Sequence, residues 1–129
     1  MDLETLLHSM PFAVASGVQL TAASADEARG RLEWAPERCT VGGTLHGGAL
    51  MLLADSVGAV CAFLGLPEGA GTATLSSSTN LVRAVRSGHV EAVARPLHRG
   101  RTTVVVVTEV RDAEGRLVSS TTQTQAVLM

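Results

Sequence analysis

Between Leu45 and Leu66 the chain reads LHGGALMLLADSVGAVCAFLGL, and Asp55 is the only carboxylate, and the only Asp, Glu, Lys or Arg, in that run. An ionised carboxylate among apolar residues is costly to bury unless hydrogen bonds or a wet cleft compensate it. A carboxylate held in that way can take a proton from water, or attack an electrophilic carbon itself. It can equally be a polar helix residue that caps a neighbouring loop. Shortly before it, His46-Gly47-Gly48 stands where the helical run begins. Helix N-termini present free backbone N–H groups and a partial positive charge, and glycine lets another molecule approach them closely. Such amides can hold a ligand oxygen in the manner of an oxyanion hole. A glycine-rich turn packed on a neighbouring strand is the alternative.

Asp55 follows Gly47 by eight positions, which is about 12 Å along a regular helix. One reacting carbonyl cannot meet both groups of a single chain. In a two-fold dimer, however, the amides of one chain can face the carboxylate of the other. A further candidate lies in 72–82, where alternate side chains of a strand take opposite faces. Thr72, Thr74, Ser76, Ser78 and Asn80 share one face, and Ala73, Leu75, Ser77, Thr79 and Leu81 the other. The polar face is either solvated or lines a cleft that holds a water beside Asp55.

The elements that must position these residues are legible in the periodicity. Leu3, Leu6, Leu7 and Met10 recur at helical spacing, so a short helix opens the chain and Pro11 closes it. Segments 18–25 and 27–35 read as two strands around a turn at Asp26, with Ala28, Gly30, Leu32 and Trp34 on one face of the second. Gly42, Gly43 and two threonines mark 36–45 as a loop, and the long apolar helix ends at Gly65-Leu66-Pro67. Val- and Thr-rich segments 72–82, 89–97, 102–110 and 117–128 read as four consecutive antiparallel strands. Their turns fall at Arg86-Ser87-Gly88, His98-Arg99-Gly100 and Asp112-Ala113-Glu114-Gly115. The expected class is α+β: a curved antiparallel sheet wrapped around one long central helix. An edge strand of that sheet is a liability that pairing with a second copy removes, so at least a dimer is expected.

Composition bounds the function classes. The 129 residues suit one domain, 1–129, and 46% hydrophobic with 17% charged residues suits a packed core. A net charge of −2, one Trp, two Phe and no Tyr give neither a basic field nor a stacking platform for nucleic acid. All ten basic residues are Arg, which excludes lysine Schiff-base chemistry. Cys39 and Cys61 lack the spacing of a zinc site or a disulfide framework. The central Asp55, the glycines and the missing aromatic belt argue against a membrane span in 49–66. MDLETLLHSMPF is not a secretory leader, so a soluble cytoplasmic protein is expected. His8, His89 and His98 read as surface or turn residues.

The segment from His46-Gly47-Gly48-Ala49 to Leu53-Ala54-Asp55, an H-G-G-A-x-x-x-L-A-D pattern, resembles the signature of hotdog-fold acyl-CoA thioesterases. The phenylacetate-pathway (PaaI-like) branch, related to the 4-hydroxybenzoyl-CoA thioesterases, is the most similar. The strand 74–85 and the hairpin HRGRTTVVVVTEVRDAEGRLVSSTTQT resemble the family's downstream order. The resemblance implies active sites at a dimer interface and hydrolysis of an aryl or medium-chain acyl-CoA. By position, the Gly47 amide would polarise the thioester carbonyl, with Gly48 beside it. Asp55 of the opposing subunit would be nucleophile or general base, and His46 would position the thioester or support the loop. Thr74 falls where relatives place a hydroxyl that orients water or the carboxylate. No metal or redox cofactor is implied, coenzyme A being part of the substrate, and dimers would pair into a homotetramer. Relatives often carry Asn six residues before the His, where this chain has Thr40, so that substrate contact is either absent or made by the Thr40 hydroxyl. The family's Arg-Pro is Arg83-Ala84 here. Arginine forks suit phosphates, so Arg83, Arg99 and Arg101 are candidates for the coenzyme A nucleotide, solvated hairpin ends being the alternative. The rival readings are a non-catalytic acyl-CoA-binding module and a hotdog enoyl-thioester hydratase.

Overall fold

The computed structural model describes all 129 residues. Two short helices, α1 (Leu3–His8) and α2 (Pro11–Ala15), lead into strands β1 (Gln19–Ala23) and β2 (Ala28–Glu33). A loop then reaches the long helix α3 (Gly47–Leu64), followed by β3 (Gly71–Leu81), β4 (His89–Arg99), β5 (Thr103–Asp112) and β6 (Leu117–Leu128). The strands form one six-stranded antiparallel sheet in the order β1-β2-β4-β5-β6-β3, and α3 packs against it.

The core follows from two periodicities meeting. Leu50, Leu53, Ala54, Val57, Val60 and Cys61 line one stripe of α3 and are buried. They pack against inward residues of the sheet, among them Leu32, Val90, Val106, Val110 and Val118. On β2 the inward set is Ala28, Gly30 and Leu32, as the alternation predicts. By length and composition α3 could cross a membrane, yet half of it is buried inside the domain. The opposite stripe stays open, with Gly48, Met51 and Phe63 exposed and Asp55 and Ala59 half-buried. The cover expected on most sides of this helix is therefore incomplete within one chain.

Three expectations are corrected. Pro11 closes no helix alone: it is also the first residue of α2, where a missing N–H costs nothing. The segment Arg86-Ser87-Gly88 is no hairpin turn, because β3 and β4 do not pair. β3 joins β6 at one end of the sheet and β4 joins β2 toward the other, and the chain between them passes the residues that precede α3, where the Leu45 N–H donates to the Val85 carbonyl at 2.9 Å. The faces assigned to 72–82 are also mixed. A bulge between Thr74 and Ser76 lets Leu75 protrude and reverses the alternation. Thr74 lies opposite Gln125, while Ser77 lies opposite Gln123 and Thr79 opposite Thr121, with a 2.8 Å hydroxyl contact between the last two.

Candidate active site

The loop between β2 and α3 is braced so that α3 starts at a defined place. Arg38 donates to the Ser16 carbonyl at 2.9 Å and to the Glu33 carbonyl at 3.0 Å. Trp34 Nε1 donates to the Gly43 carbonyl at 3.0 Å, and the His46 N–H to the Arg38 carbonyl at 2.9 Å. Gly42 and Gly43 both adopt positive φ, 83° and 74°, which is why that turn is glycine.

His46 is the N-cap of α3. Its Nδ1 accepts from the Gly48 N–H at 2.8 Å, so the ring carries its proton on Nε2. Its carbonyl accepts from the N–H groups of Ala49 at 2.9 Å and Leu50 at 3.2 Å. Gly47 is then the residue of the first turn whose N–H has no acceptor. An alanine Cβ at 47 would approach Leu81 Cδ1 to 2.8 Å. Glycine there leaves room for the Leu81 side chain at the end of β3.

Asp55 lies midway along α3. Gln123 Nε2 on β6 donates to its Oδ1 at 3.1 Å, and the Thr74 hydroxyl on β3 stands 3.5 Å from the same oxygen. Thr74 is itself held by Gln125 Nε2 at 2.8 Å, and Gln125 Oε1 accepts from the Thr72 hydroxyl at 3.1 Å. No cationic side chain of the chain pairs with Asp55. The carboxylate is thus held by neutral donors on one oxygen, and Oδ2 has no partner in the chain. Gln123, Gln125 and Gly58 escaped the sequence reading. Their signal is the Gln-Thr-Gln alternation in 123–125, polar at inward strand positions, and a helical glycine one turn beyond Asp55.

The remaining candidates separate. Thr40 is exposed with no side-chain hydrogen bond, although its N–H donates to the Thr44 carbonyl at 2.8 Å. Arg83 is exposed, shortly after Leu81 at the Gly47 end of α3. Arg99 turns inward at the other end of α3, donating to the carbonyls of Ala25 at 2.7 Å, Cys61 at 2.8 Å and Ala62 at 3.1 Å. Arg101 is exposed near Pro67 and Met129, at that same far end. The structure brings Asp55 and Thr74 together, and His46 with Gly47 and Gly48, but it does not gather the three arginines.

Two hollows border α3. A cleft of about 470 Å³ beside His46 and Gly48 is lined by Phe12, Ser16, Arg38, Cys39 and Leu52 among others. A more apolar hollow of about 360 Å³ continues the Asp55 stripe, between Ala59, Val60, Phe63, Thr72, Leu6 and Met10.

A sequence profile of the Thioesterase superfamily matches residues 42–119, from the loop before α3 into β6. The chain belongs to that superfamily. The 1,4-dihydroxy-2-naphthoyl-CoA hydrolase of Escherichia coli K12 is 40% identical over 86 residues, 67% of this chain and 63% of its own. Among solved structures, a Haemophilus influenzae thioesterase superposes with a TM-score of 0.93 at 29% identity, covering 99% of this chain and 91% of its own. A mutant of the phenylacetic acid degradation protein PaaI of Thermus thermophilus gives 0.82 at 32% identity, covering 90% and 97%. This hotdog thioesterase is accordingly a thioester hydrolase, built on the expected sheet and central helix.

Proposed function

We propose that this thioesterase hydrolyses an aryl or medium-chain acyl-CoA at a site shared between two copies of the chain. The observation that carries the reading is a mismatch along α3. Its one first-turn amide without an acceptor, at Gly47, and its one carboxylate, Asp55, lie eight positions apart, too far to serve one carbonyl from a single chain. Two further features support a two-chain site. β3 ends the sheet with most of its residues exposed, an open edge suited to pairing with its own copy. Alongside it runs the uncovered stripe of α3 with Asp55 at its centre. Antiparallel pairing of two β3 edges would lay these stripes face to face and bring the partner subunit's Gly47 toward Asp55.

In that arrangement the thioester carbonyl oxygen accepts from the Gly47 N–H, whose helix-start dipole favours the charge that develops there. Asp55 takes a proton from water as the water attacks the carbonyl carbon, or attacks that carbon directly to give an anhydride that water then opens. Either way the C–S bond breaks, and the coenzyme A thiolate leaves and takes up a proton. His46 presents Nε2–H beside the carbonyl, and Thr74 steadies the carboxylate. Arg83 lies at the Gly47 end and is the arginine offered to the nucleotide phosphates. The apolar hollow beyond Asp55 is of a size for an aryl ring or a medium acyl chain.

Thiol release from a panel of aryl and aliphatic acyl-CoAs tests this. Asp55→Asn is expected to lower turnover about a hundredfold or more with the oligomer intact. Wild-type protein that binds acyl-CoA but releases no thiol would instead support a binding module.

A further inference from the structure

Gln123 is fully buried on the inward face of β6, across from Ser77 of β3 and Val106 of β5. A Leu or Met would fill that volume without desolvating an amide, so a glutamine there calls for a reason. Its Nε2 donates to Asp55 Oδ1 at 3.1 Å, while its Oε1 is buried without a partner. An ionised carboxylate only accepts, so the amide turns its nitrogen to Asp55 and its oxygen toward α3. That oxygen occupies the space left by Gly58. A Cβ at 58 would overlap Gln123 Oε1, stand 2.9 Å from the amide carbon, and come within 3.2 Å of the Thr108 hydroxyl, itself unpartnered. Two features that weaken a helical core, an interior glycine and an unpaired amide oxygen, thus coincide at one point. What they permit together is the hydrogen bond from Gln123 to Asp55.

We propose that Gln123 is a positioning residue for Asp55, and that glycine at 58 is what admits its amide. This rests on the role proposed for Asp55. Thr74 from β3 and Gln123 from β6 are the groups facing the carboxylate within the chain. With Oδ1 held by Gln123, the carboxylate keeps one orientation and Oδ2 is the oxygen left to act. Thr74 alone, at 3.5 Å and exposed, cannot impose that orientation.

The test compares Asp55→Asn, Gln123→Met, Gln123→Ala, Gly58→Ala and the Gly58→Ala/Gln123→Ala pair, reading kcat, KM and thermal midpoint for each. Gln123→Met keeps the shape and removes the donor, so kcat falls about 10- to 100-fold while KM moves less than about twofold. Gly58→Ala displaces the amide and produces a similar fall in kcat. On the Gln123→Ala background the same methyl finds room, and Gly58→Ala costs nothing further. The proposal is overturned if Gln123→Met moves only the thermal midpoint, or if Gly58→Ala lowers kcat equally with and without Gln123. Should Gln123→Met fail to fold, the Gly58 cycle decides alone. Inactive Asp55→Asn with fully active Gln123→Met removes the positioning role and leaves the proposed function standing. Fully active Asp55→Asn removes both.

Discussion

At its C-terminal end α3 is closed. Arg99 lays its guanidinium across the carbonyls of Ala25, Cys61 and Ala62, and a side chain at Gly65 would collide with that guanidinium. Cys61 is buried there, and burial pushes its thiol pKa up despite the nearby Arg99. At the N-terminal end the same helix is left open: His46 satisfies Gly48, the His46 carbonyl satisfies Ala49 and Leu50, and Gly47 keeps a free N–H. Both ends begin with the same problem, since every helix terminus has orphan backbone groups. One end solves it with an arginine for stability. The other withholds one donor, which is the form a site for a developing oxyanion takes.

The sharpest way to break this contrast is Gly47→Pro. Proline is tolerated at the first helical position, and His46 already has the extended ψ of 134° that a residue before proline prefers. The substitution removes the one N–H and leaves the helix, with the flexible Leu81 side chain the near neighbour. Turnover should fall about 100- to 1,000-fold while unfolding in urea stays near wild type. Gly47→Ala, which keeps the N–H, should lose far less. Co-assembled Gly47→Pro and Asp55→Asn chains should regain up to about half of wild-type activity, because one of the two shared sites is then intact. Absence of any recovery would argue for sites within single chains.

Arg99→Met reads the closed end. It takes the guanidinium from three part-buried carbonyls, although the Gly65 N–H still reaches Ala62 and the Cys61 thiol still reaches Ala25, so stability in urea should drop by about 2 kcal/mol. KM for acyl-CoA should hold; a rise in KM without loss of stability would return Arg99 to the nucleotide. His46→Ala has the smallest expected effect, about 1 kcal/mol from the lost cap. It also frees a second amide, at Gly48, so turnover should fall less than in Gly47→Pro.

The long helix, its start at His46-Gly47-Gly48, the strands and the catalytic candidate Asp55 were legible because each is a local pattern: hydrophobic period, cap, turn or an isolated charge. Thr74 was legible as a polar strand residue, although its face was read through an alternation that the bulge at Leu75 interrupts. A bulge has no reliable one-dimensional mark, since any residue can be the extra one. Strand order escaped for a similar reason. Segments in the 82–88 region look like a turn whether the next strand pairs beside β3 or crosses to β2.

What the amino-acid sequence determined by itself is therefore the set of elements and the residue types that could do chemistry. Backbone conformation and burial period are local, and a carboxylate in an apolar helix stands out in any context. Tertiary structure alone decided which of these groups act together. Gln123 lies 68 positions from Asp55, and Arg99 37 positions from Ala62, so each pairing depends on how the sheet closes over α3. A side chain's hydrogen-bond partner is a property of that closure, which is why Arg99 became the cap of a helix and an unremarked glutamine came to hold the carboxylate.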